Sequence, residues 1–356
     1  GWLDRFARRA VIRKLRSLEH GQITIVEGDR EETFGCERAD FPHAARLRVL
    51  SPAFYSDVAF GGSIGAGEAY MNGYWASAEL TDLLRIIIRN QHVMDSMDSG
   101  LARLGVPVQK FLHWLNRNTR KGSRKNISAH YDLGNDFYRL WLDQTMMYSA
   151  AYFESPDTSL EDASTEKLDR ICRKLDLGPD DRVVEIGTGW GGFAIHAARH
   201  YGCHVTTTTI SRQQYEWAQQ AIREAGLEDR ITLLFEDYRD LEGQFDKLVS
   251  IEMIEAVGHR YLDDYFRVCA SMLEPHGSML LQAIVIADRY YDSYRRSVDF
   301  IQRYIFPGGM LPTIERFSQC VADVGLHKVR EDRFGKQYAR TLALWHRRFL
   351  KREGAV

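Results

Sequence analysis

Three glycines at alternate positions form the pattern in this chain with the clearest chemical use. Gly187, Gly189 and Gly191 follow the apolar, β-branched run 183–186 and precede an alanine-rich helical pattern at 193–200. Glycine allows positive φ angles and lets a ligand approach the backbone where a Cβ would block it. The spacing is not the G-x-G-x-x-G of dinucleotide-binding folds, and no G-K-S or G-K-T follows to hold a phosphate. We expect a ligand-binding turn between a strand and a helix, with a purely structural turn as the alternative.

The elements around this turn follow the alternating pattern of an α/β fold. The predicted strands cover 182–186, 204–210, 231–236, 247–251, 277–286, 328–332 and 341–346, and helical patterns separate them. This alternation implies parallel strands with right-handed crossovers, a doubly wound sheet with a ligand site at the carboxyl ends of its strands. The chain thus divides into a small α+β domain at 1–105, a basic linker at 106–125 and an α/β domain at 126–356.

Composition and charge exclude several classes of protein. The chain has 47 Lys and Arg against 49 Asp and Glu, and this net charge of −2 gives no support for nucleic-acid binding. Its five cysteines are scattered without a C-x-x-C pair, which fits a reducing cytoplasm and argues against a zinc site; no metal site is predicted. No apolar run is long enough to span a membrane, so we expect any membrane contact to be peripheral.

Two basic segments are predicted to contact an anionic membrane surface. Residues 2–18 have the pattern of an amphipathic helix, with Trp2 and Phe6 on its apolar side and arginines around the rest. Residues 106–125 join an aromatic-aliphatic run to a cationic cluster. Each cation near an anionic leaflet contributes about 1 kcal/mol to binding. The alternatives are a packed terminal helix with solvated arginines and a charged interdomain linker.

Four motifs resemble those of the cyclopropane-fatty-acyl-phospholipid synthases. They are HYDLGNDFY at 130–138, MYSAAYF at 147–153, EDYRD at 236–240 and YIFPGGMLP at 304–312, and the stretch 65–75 extends the likeness toward the N-terminus. These bacterial enzymes transfer a one-carbon unit from S-adenosylmethionine to a double bond of a phospholipid acyl chain. The resemblance implies a Rossmann-like class I methyltransferase fold, an unsaturated phospholipid as substrate and a cytoplasmic enzyme bound to the inner face of the membrane. Because the family includes dimers, it is also compatible with a homodimer.

The resemblance implies a set of contacts with S-adenosylmethionine. The glycine turn would contact the amino-acid end of this co-substrate. Tyr148 and Ser149 come from the second motif. Thr209 and Gln214 follow the second strand, where many methyltransferases hold the ribose hydroxyls. Asp237 and Tyr238 follow the third strand, near the adenine. Arg239 belongs to the same motif, with an ordinary surface residue as the alternative.

The implied reaction needs a stabilised cation and a base. An alkene is a weak nucleophile and must be held in line with the sulfonium methyl; transfer then leaves a carbocation. Aromatic faces stabilise such a charge, and the candidates are Tyr152, Phe153, Tyr304, Phe306 and Trp345. If the proton leaves the added methyl, a cyclopropane closes; if it leaves an adjacent chain carbon, a methylated alkene results.

The residues expected around the base depart from the family pattern. In the family a bound bicarbonate, held by a cysteine, a glutamate, a histidine and a tyrosine, is thought to take the proton. Motif alignment places Glu255 on the glutamate, but Ala150, Gln282 and His346 on the other three positions. Gln282 and His346 can still donate hydrogen bonds to an anion, or His346 or an acidic residue takes the proton directly. Glu252 stands where the family usually has a small residue, and it is a candidate base or charge stabiliser, with an outward-facing ion-pair partner as the alternative.

These departures leave two other outcomes open. The same transfer can end in a methylated alkene rather than a cyclopropane. The chain can also be a non-catalytic relative that binds lipid or S-adenosylmethionine. The changed anion site favours this second alternative, whereas the glycine turn and Glu255 argue against it.

Overall fold

The computed structural model of the chain describes residues 1–90, 122, 123, 126, 133–352 and 354. These residues form two compact units, one built from 1–90 and 297–304 and the other from 133–296 and 305–352 with the remaining short pieces. The predicted basic linker, apart from residues 122 and 123, and the beginning of the 130–138 motif lie outside the described residues. The prediction keeps 297–304 in the catalytic domain, whereas in the structure this segment packs with the N-terminal unit.

The first unit is a four-stranded mixed sheet with helices. Its elements are α1 (Trp2–Leu15), β1 (Gly21–Glu27), β2 (Arg30–Cys36), β3 (Ala44–Val49), α2 (Ala53–Met71), β4 (Trp75–Ala76), α3 (Leu80–Arg89) and the short helix Phe300–Tyr304, which is α10 in chain order. The strand order is β2-β1-β3-β4, with β1 and β3 parallel and the other pairs antiparallel. Its core includes Ile23, Ile25, Tyr55 and Ile86.

The second unit contains the predicted parallel sheet. Its elements are α4 (Asn135–Arg139), α5 (Leu160–Leu175), β5 (Arg182–Ile186), α6 (Gly192–Tyr201), β6 (His204–Thr208), α7 (Arg212–Glu224), β7 (Ile231–Leu234), β8 (Phe245–Ile251), α8 (Leu262–Ser271), β9 (Leu273–Gln282), α9 (Asp288–Tyr294), α11 (Ile314–Asp323) and α12 (Gly335–Leu350). The order is β7-β6-β5-β8-β9, and all neighbours are parallel. Since the order reverses between β5 and β8, the carboxyl ends of these two strands flank the usual ligand crevice of such sheets.

The central strand β5 is buried on both faces. Val183 packs in one core cluster with Phe193, whereas its neighbour Val184 packs in another with Phe266. Successive side chains of a strand point to opposite faces, so the apolar run 183–186 supplies both cores. This packing holds the glycine turn at the end of β5 in place.

Two predicted strands of the second unit are wrong. Residues 328–332 form no regular element, and residues 341–346 lie inside α12. The alternation within 341–346 suits a strand, but Tyr338, Thr341 and Trp345 recur at helical spacing, and Thr341 and Trp345 are buried. The longer helical period therefore prevails over the short alternating one. No helix among the described residues is long and apolar enough to cross a bilayer.

Candidate active site

The glycine turn has the backbone that its sequence predicts. Gly187, Gly189 and Gly191 all have positive φ, at 97°, 54° and 94°. A Cβ on Gly187 would come within 3.0 Å of the Met253 side chain, whereas one on Gly189 would meet no protein atom within 4 Å. The Gly187 amide donates to Thr208 O at 3.1 Å and ties the turn to β6. The turn therefore presents backbone without side chains at the switch point of the sheet, and its contact with the amino-acid end of S-adenosylmethionine stays a prediction.

The residues predicted to contact the ribose form a buried polar pair. Thr209 Oγ1 donates to Gln214 Oε1 at 2.9 Å, and the Ser211 amide donates to Thr209 Oγ1 at 3.1 Å. Ser211 in turn caps the first turn of α7 through the Gln214 amide. Both members of the pair are buried, so their polar groups lie at the carboxyl end of β6 and away from bulk water. This arrangement fits the hydroxyl-rich part of a nucleoside.

The end of β7 carries a buried ion pair. Asp237 is 3% exposed and receives two charge-assisted hydrogen bonds from the Arg239 guanidinium, at 2.7 and 2.6 Å. Since the Arg239 side chain is 15% exposed, Arg239 is not an ordinary surface residue. The ring of Tyr238 packs edge-on against Tyr265, with the ring centroids 5.3 Å apart. The adenine contacts of Asp237 and Tyr238 stay predictions.

The predicted residues Tyr148 and Ser149 lie in different surroundings. Ser149 is buried, and its Oγ accepts a hydrogen bond from Lys167 Nζ at 2.7 Å. Tyr148 belongs to an aromatic cluster, with its ring centroid 5.4 Å from Trp141, 5.5 Å from Trp345 and 6.5 Å from Phe306. A group of aromatic faces thus lies next to a buried ammonium and hydroxyl.

Three of the residues predicted for the base are in direct contact. Glu252 Oε1 accepts hydrogen bonds from the Ala150 amide at 2.9 Å and from Gln282 Nε2 at 2.8 Å. Gln282 Nε2 also contacts Ala150 O at 3.3 Å, and the Glu252 amide donates to Gln282 O at 2.8 Å. Glu252 therefore points inward, and the outward-facing ion-pair alternative is wrong. We call Ala150, Glu252, Glu255 and Gln282 the carboxylate cluster.

The fourth member of the cluster has one bonded and one unbonded oxygen. Glu255 Oε1 accepts a hydrogen bond from the Ile284 amide at 2.5 Å. Glu255 Oε2 is inaccessible to solvent and has no hydrogen-bond partner among the described residues. As whole residues Glu252 and Glu255 retain some exposure, but this oxygen of Glu255 has none. An unpaired buried oxygen of this kind favours the protonated form of the carboxyl group.

The charges around the cluster shift one another's pKa values. Burial, followed by the charge of Glu252, raises the pKa of Glu255 to about 8. Burial also raises the pKa of Glu252, while the hydrogen bonds from Ala150 and Gln282 and the positive charge of Lys167 act in the opposite direction. Burial lowers the pKa of Lys167 to about 8, against the charges of nearby carboxylates. Two carboxylates in one place with different surroundings suit separate acid and base roles.

Glu252 has an unusual backbone conformation. Its φ of +47° lies in the left-handed region, which costs a residue other than glycine roughly 1–2 kcal/mol. It directly follows β8, so the conformation turns the chain at the carboxyl end of this strand. Strained residues of this kind concentrate at functional sites.

His346 does not join the carboxylate cluster, contrary to prediction. Its side chain is exposed on α12, one residue beyond the buried Trp345, and the helix turns it away from the cluster. Tyr338, which sequence reasoning missed, lies on the cluster side of the same helix, where burial and the charges of Glu252 and Glu255 raise its pKa. The i, i+3, i+7 pattern of Tyr338, Thr341 and Trp345 is the signal that could have found it.

The aromatic candidates for cation stabilisation separate into groups. Phe306 and Trp345 gather around Tyr148, whereas Tyr152 and Phe153 each lie under an arginine guanidinium. Tyr304 belongs to the first unit, where its hydroxyl is hydrogen-bonded to Glu68, and Arg303 pairs with the same carboxylate. The catalytic role of Tyr304 stays a prediction.

Comparisons with known proteins identify the family. The family model "Mycolic acid cyclopropane synthetase" matches residues 118–356. The tuberculostearic acid methyltransferase UfaA1 of Mycobacterium tuberculosis is 35% identical over 96% of this chain and 80% of its own. The cyclopropane-fatty-acyl-phospholipid synthase of Escherichia coli K12 is 40% identical over 86% of this chain and 77% of its own.

Solved structures agree with this relationship. The cyclopropane synthase MmaA2 of Mycobacterium tuberculosis has a TM-score of 0.61 and 32% identity, covering 65% of this chain and 85% of that one. The mycolic acid cyclopropane synthase CmaA1, in a complex with S-adenosylhomocysteine and CTAB, has a TM-score of 0.62 and 32% identity over the same shares of the two chains. This chain therefore belongs to the mycolic acid cyclopropane synthetase family and is an S-adenosylmethionine-dependent methyltransferase with a class I Rossmann-like domain.

Proposed function

We propose that this methyltransferase adds the methyl carbon of S-adenosylmethionine to the double bond of an unsaturated phospholipid acyl chain and closes a cyclopropane ring. The observation that carries the proposal is the carboxylate cluster, whose inward-pointing Glu252 is hydrogen-bonded to Ala150, next in the chain to the Tyr148 and Ser149 pair. A relative with 40% identity is named a cyclopropane-fatty-acyl-phospholipid synthase.

The chain's own residues supply positioning and electrostatics. When bound, S-adenosylmethionine supplies an electrophilic sulfonium methyl. The glycine turn would hold its amino-acid end, and the Thr209–Gln214 pair would hold its ribose hydroxyls. The aromatic faces of Tyr148, Phe306 and Trp345 stabilise positive charge on the substrate carbon chain.

The test is incubation of the purified chain with labelled S-adenosylmethionine and vesicles of a monounsaturated phosphatidylglycerol. We expect label in the acyl chains, in a product that survives catalytic hydrogenation because its double bond is gone. A product that takes up hydrogen would assign the methylated-alkene outcome instead. Vesicles without label would leave the non-catalytic binding relative as the better description.

We further propose that α1 of the first unit binds an anionic membrane surface on the cytoplasmic face. This helix packs through Ala7, Val11 and Ile12, so it is a packed helix as the alternative requires. It nevertheless leaves Trp2 and Phe6 exposed, at 74% and 51%, next to exposed arginines. Apolar side chains beside cations suit the headgroup boundary of a bilayer. Sedimentation with anionic and with zwitterionic vesicles tests this, since equal binding to both would contradict it.

A homodimer is proposed as well, supported by the family resemblance alone. A solution mass of twice the 41.1 kDa of one chain, measured by light scattering, would support it. A mass of a single chain at micromolar concentration would contradict it.

A further inference from the structure

We propose that the carboxylate of Glu252 is the base that removes the proton from the substrate carbocation, so that the chain supplies this base from its own sequence. The inference rests on the proposed function, because a base is required only if methyl transfer leaves a cation. It names a catalytic group and predicts that no added anion is needed.

The geometry leaves one oxygen of Glu252 available. The Ala150 amide and Gln282 Nε2 both donate to Oε1. No group among the described residues donates a hydrogen bond to Oε2. The carboxylate is therefore oriented through one oxygen while the other remains able to accept a proton.

The partners of Glu252 also come from two of the three other positions at which the sequence departs from the family pattern. Ala150 and Gln282 stand where the resemblance places a cysteine and a histidine, and both direct hydrogen bonds to the Glu252 carboxylate. The Ala150 amide and Gln282 Nε2 thus donate to the side-chain carboxylate of Glu252. The substitutions at these three positions form one connected arrangement.

The backbone of Glu252 supports a functional role. Its φ of +47° is a conformation that glycine adopts freely and glutamate does not. A glycine here would leave the chain path unchanged and relax the strain. The chain instead has a strained glutamate at this position, and its side chain accepts hydrogen bonds from two donors. This is the pattern expected where backbone strain serves function.

The other titratable groups nearby are less suited to accept the proton. Glu255 has a buried oxygen without a hydrogen-bond partner among the described residues, which favours its protonated form, and burial and the charge of Glu252 raise its pKa to about 8. Burial and both carboxylates keep the Tyr338 phenol protonated by raising its pKa. His346 is exposed on α12. Lys167 faces Glu252 as a cation and favours its ionised form.

The proposed step balances. The sulfur keeps the electron pair of the broken S–CH3 bond, and the alkene π pair forms the new carbon–carbon bond. Glu252 then takes a proton from the added methyl, and the electron pair of that C–H bond closes the three-membered ring. The neutral Glu252 carboxyl finally releases the proton to water.

The experiment compares the whole chain with Glu252→Gln and Glu252→Gly, using labelled S-adenosylmethionine and monounsaturated phosphatidylglycerol vesicles in bicarbonate-free buffer. We expect wild type to retain full activity there and Glu252→Gln to lose about 100-fold in labelling rate. Binding of S-adenosylhomocysteine, measured by calorimetry, should remain within a factor of three. Added formate or bicarbonate should restore the Glu252→Gly rate at least tenfold and leave wild type unchanged. The control Glu242→Gln alters an exposed glutamate outside the carboxylate cluster and should keep the wild-type labelling rate.

Each other outcome is decisive. If Glu252→Gln labels lipid at half the wild-type rate or more, Glu252 is not the base. If wild type requires bicarbonate, a bound anion takes the proton and the inference is overturned while the proposed function stands. If wild type labels no lipid under any condition, the proposed function fails and the inference fails with it. A melting temperature of Glu252→Gly at or above that of wild type excludes misfolding as the cause of lost activity.

Discussion

The two units of this protein place their charged groups in opposite ways. In the first unit the arginines of α1 lie at the surface next to exposed Trp2 and Phe6. In the second unit Lys167 and Glu185 are buried, at 3% and 2% exposure, and their pKa values are shifted to about 8. Exposed charge interacts with other charged surfaces, whereas burial shifts the pKa of a charged group toward the range in which it can exchange protons. The comparison therefore supports the proposal that the first unit binds membranes while the second unit carries the chemistry.

The largest expected effect comes from filling the glycine turn of the second unit. Gly187→Val places a branched side chain at a φ of 97° and against Met253. We expect a loss of about 3 kcal/mol in the free energy of unfolding and no measurable binding of S-adenosylhomocysteine. Urea unfolding and calorimetry measure the two effects. The control Gly178→Ala has an ordinary φ and should retain binding; normal binding by Gly187→Val would contradict the assigned role of the turn.

The next effect tests whether burial tunes charge in the second unit. Burial raises the pKa of Glu185 to about 8, and Thr207 Oγ1 donates to it at 2.6 Å. A carboxyl whose pKa is higher in the folded state contributes stability that is lost as pH rises between about 4.5 and 8. Between pH 5.5 and 7.5 the free energy of unfolding of the wild type should therefore fall by up to about 2 kcal/mol more than that of Glu185→Gln. Parallel pH curves for the two proteins would show that Glu185 is ionised when folded.

A smaller effect is expected in the first unit. Trp2→Ser removes an exposed apolar side chain from α1 and should weaken binding to anionic vesicles by roughly tenfold, or about 1.4 kcal/mol. Leu50→Ser is the matched control, since Leu50 is also exposed, at 58%, but lies outside α1. Sedimentation gives the partition constants. An equal decrease in both variants would indicate nonspecific adsorption rather than docking through α1.

The smallest effect concerns the charge that faces Glu252. Lys167, Glu255 and Tyr338 face this carboxylate, and Lys167 lowers its pKa. Lys167→Met should therefore raise the pKa of Glu252 and move the acidic limb of the rate–pH profile upward by about one pH unit. Lys174→Met, on the same helix but paired with Asp332, should leave the profile unchanged. An unmoved acidic limb in Lys167→Met would contradict the proposed electrostatic coupling.

The parts of this molecule that follow from local sequence were predictable. The run 183–186 and its three glycines determine a buried strand and a positive-φ turn, because both depend on neighbouring residues alone. Both were confirmed, as was the helix at the N-terminus. The amide of Ala150 reaches Glu252 across 102 positions, and no local pattern encodes that contact. The sequence could therefore single out Glu252 as unusual but could not tell an inward carboxylate from a surface ion pair.

The misplacement of His346 has the same origin. The alternation over 341–346 favours a strand, and a short motif match then put His346 where a tyrosine was expected. In the structure α12 is helical, and its face toward the cluster is set by packing of Thr341 and Trp345. Tyr338 shares that face, since residues seven apart nearly coincide around a helix.

The most direct test of the central claim uses S-adenosylmethionine with a fully deuterated methyl group and monounsaturated phosphatidylglycerol vesicles. Mass spectrometry of the acyl chains counts the deuterium atoms that each product retains. We expect one added carbon that retains two of its three deuterium atoms, because the base removes the third from the transferred methyl as the ring closes. Acyl chains that gain no deuterium would contradict it outright, and chains that retain all three would show that the proton leaves from the lipid and that no ring forms.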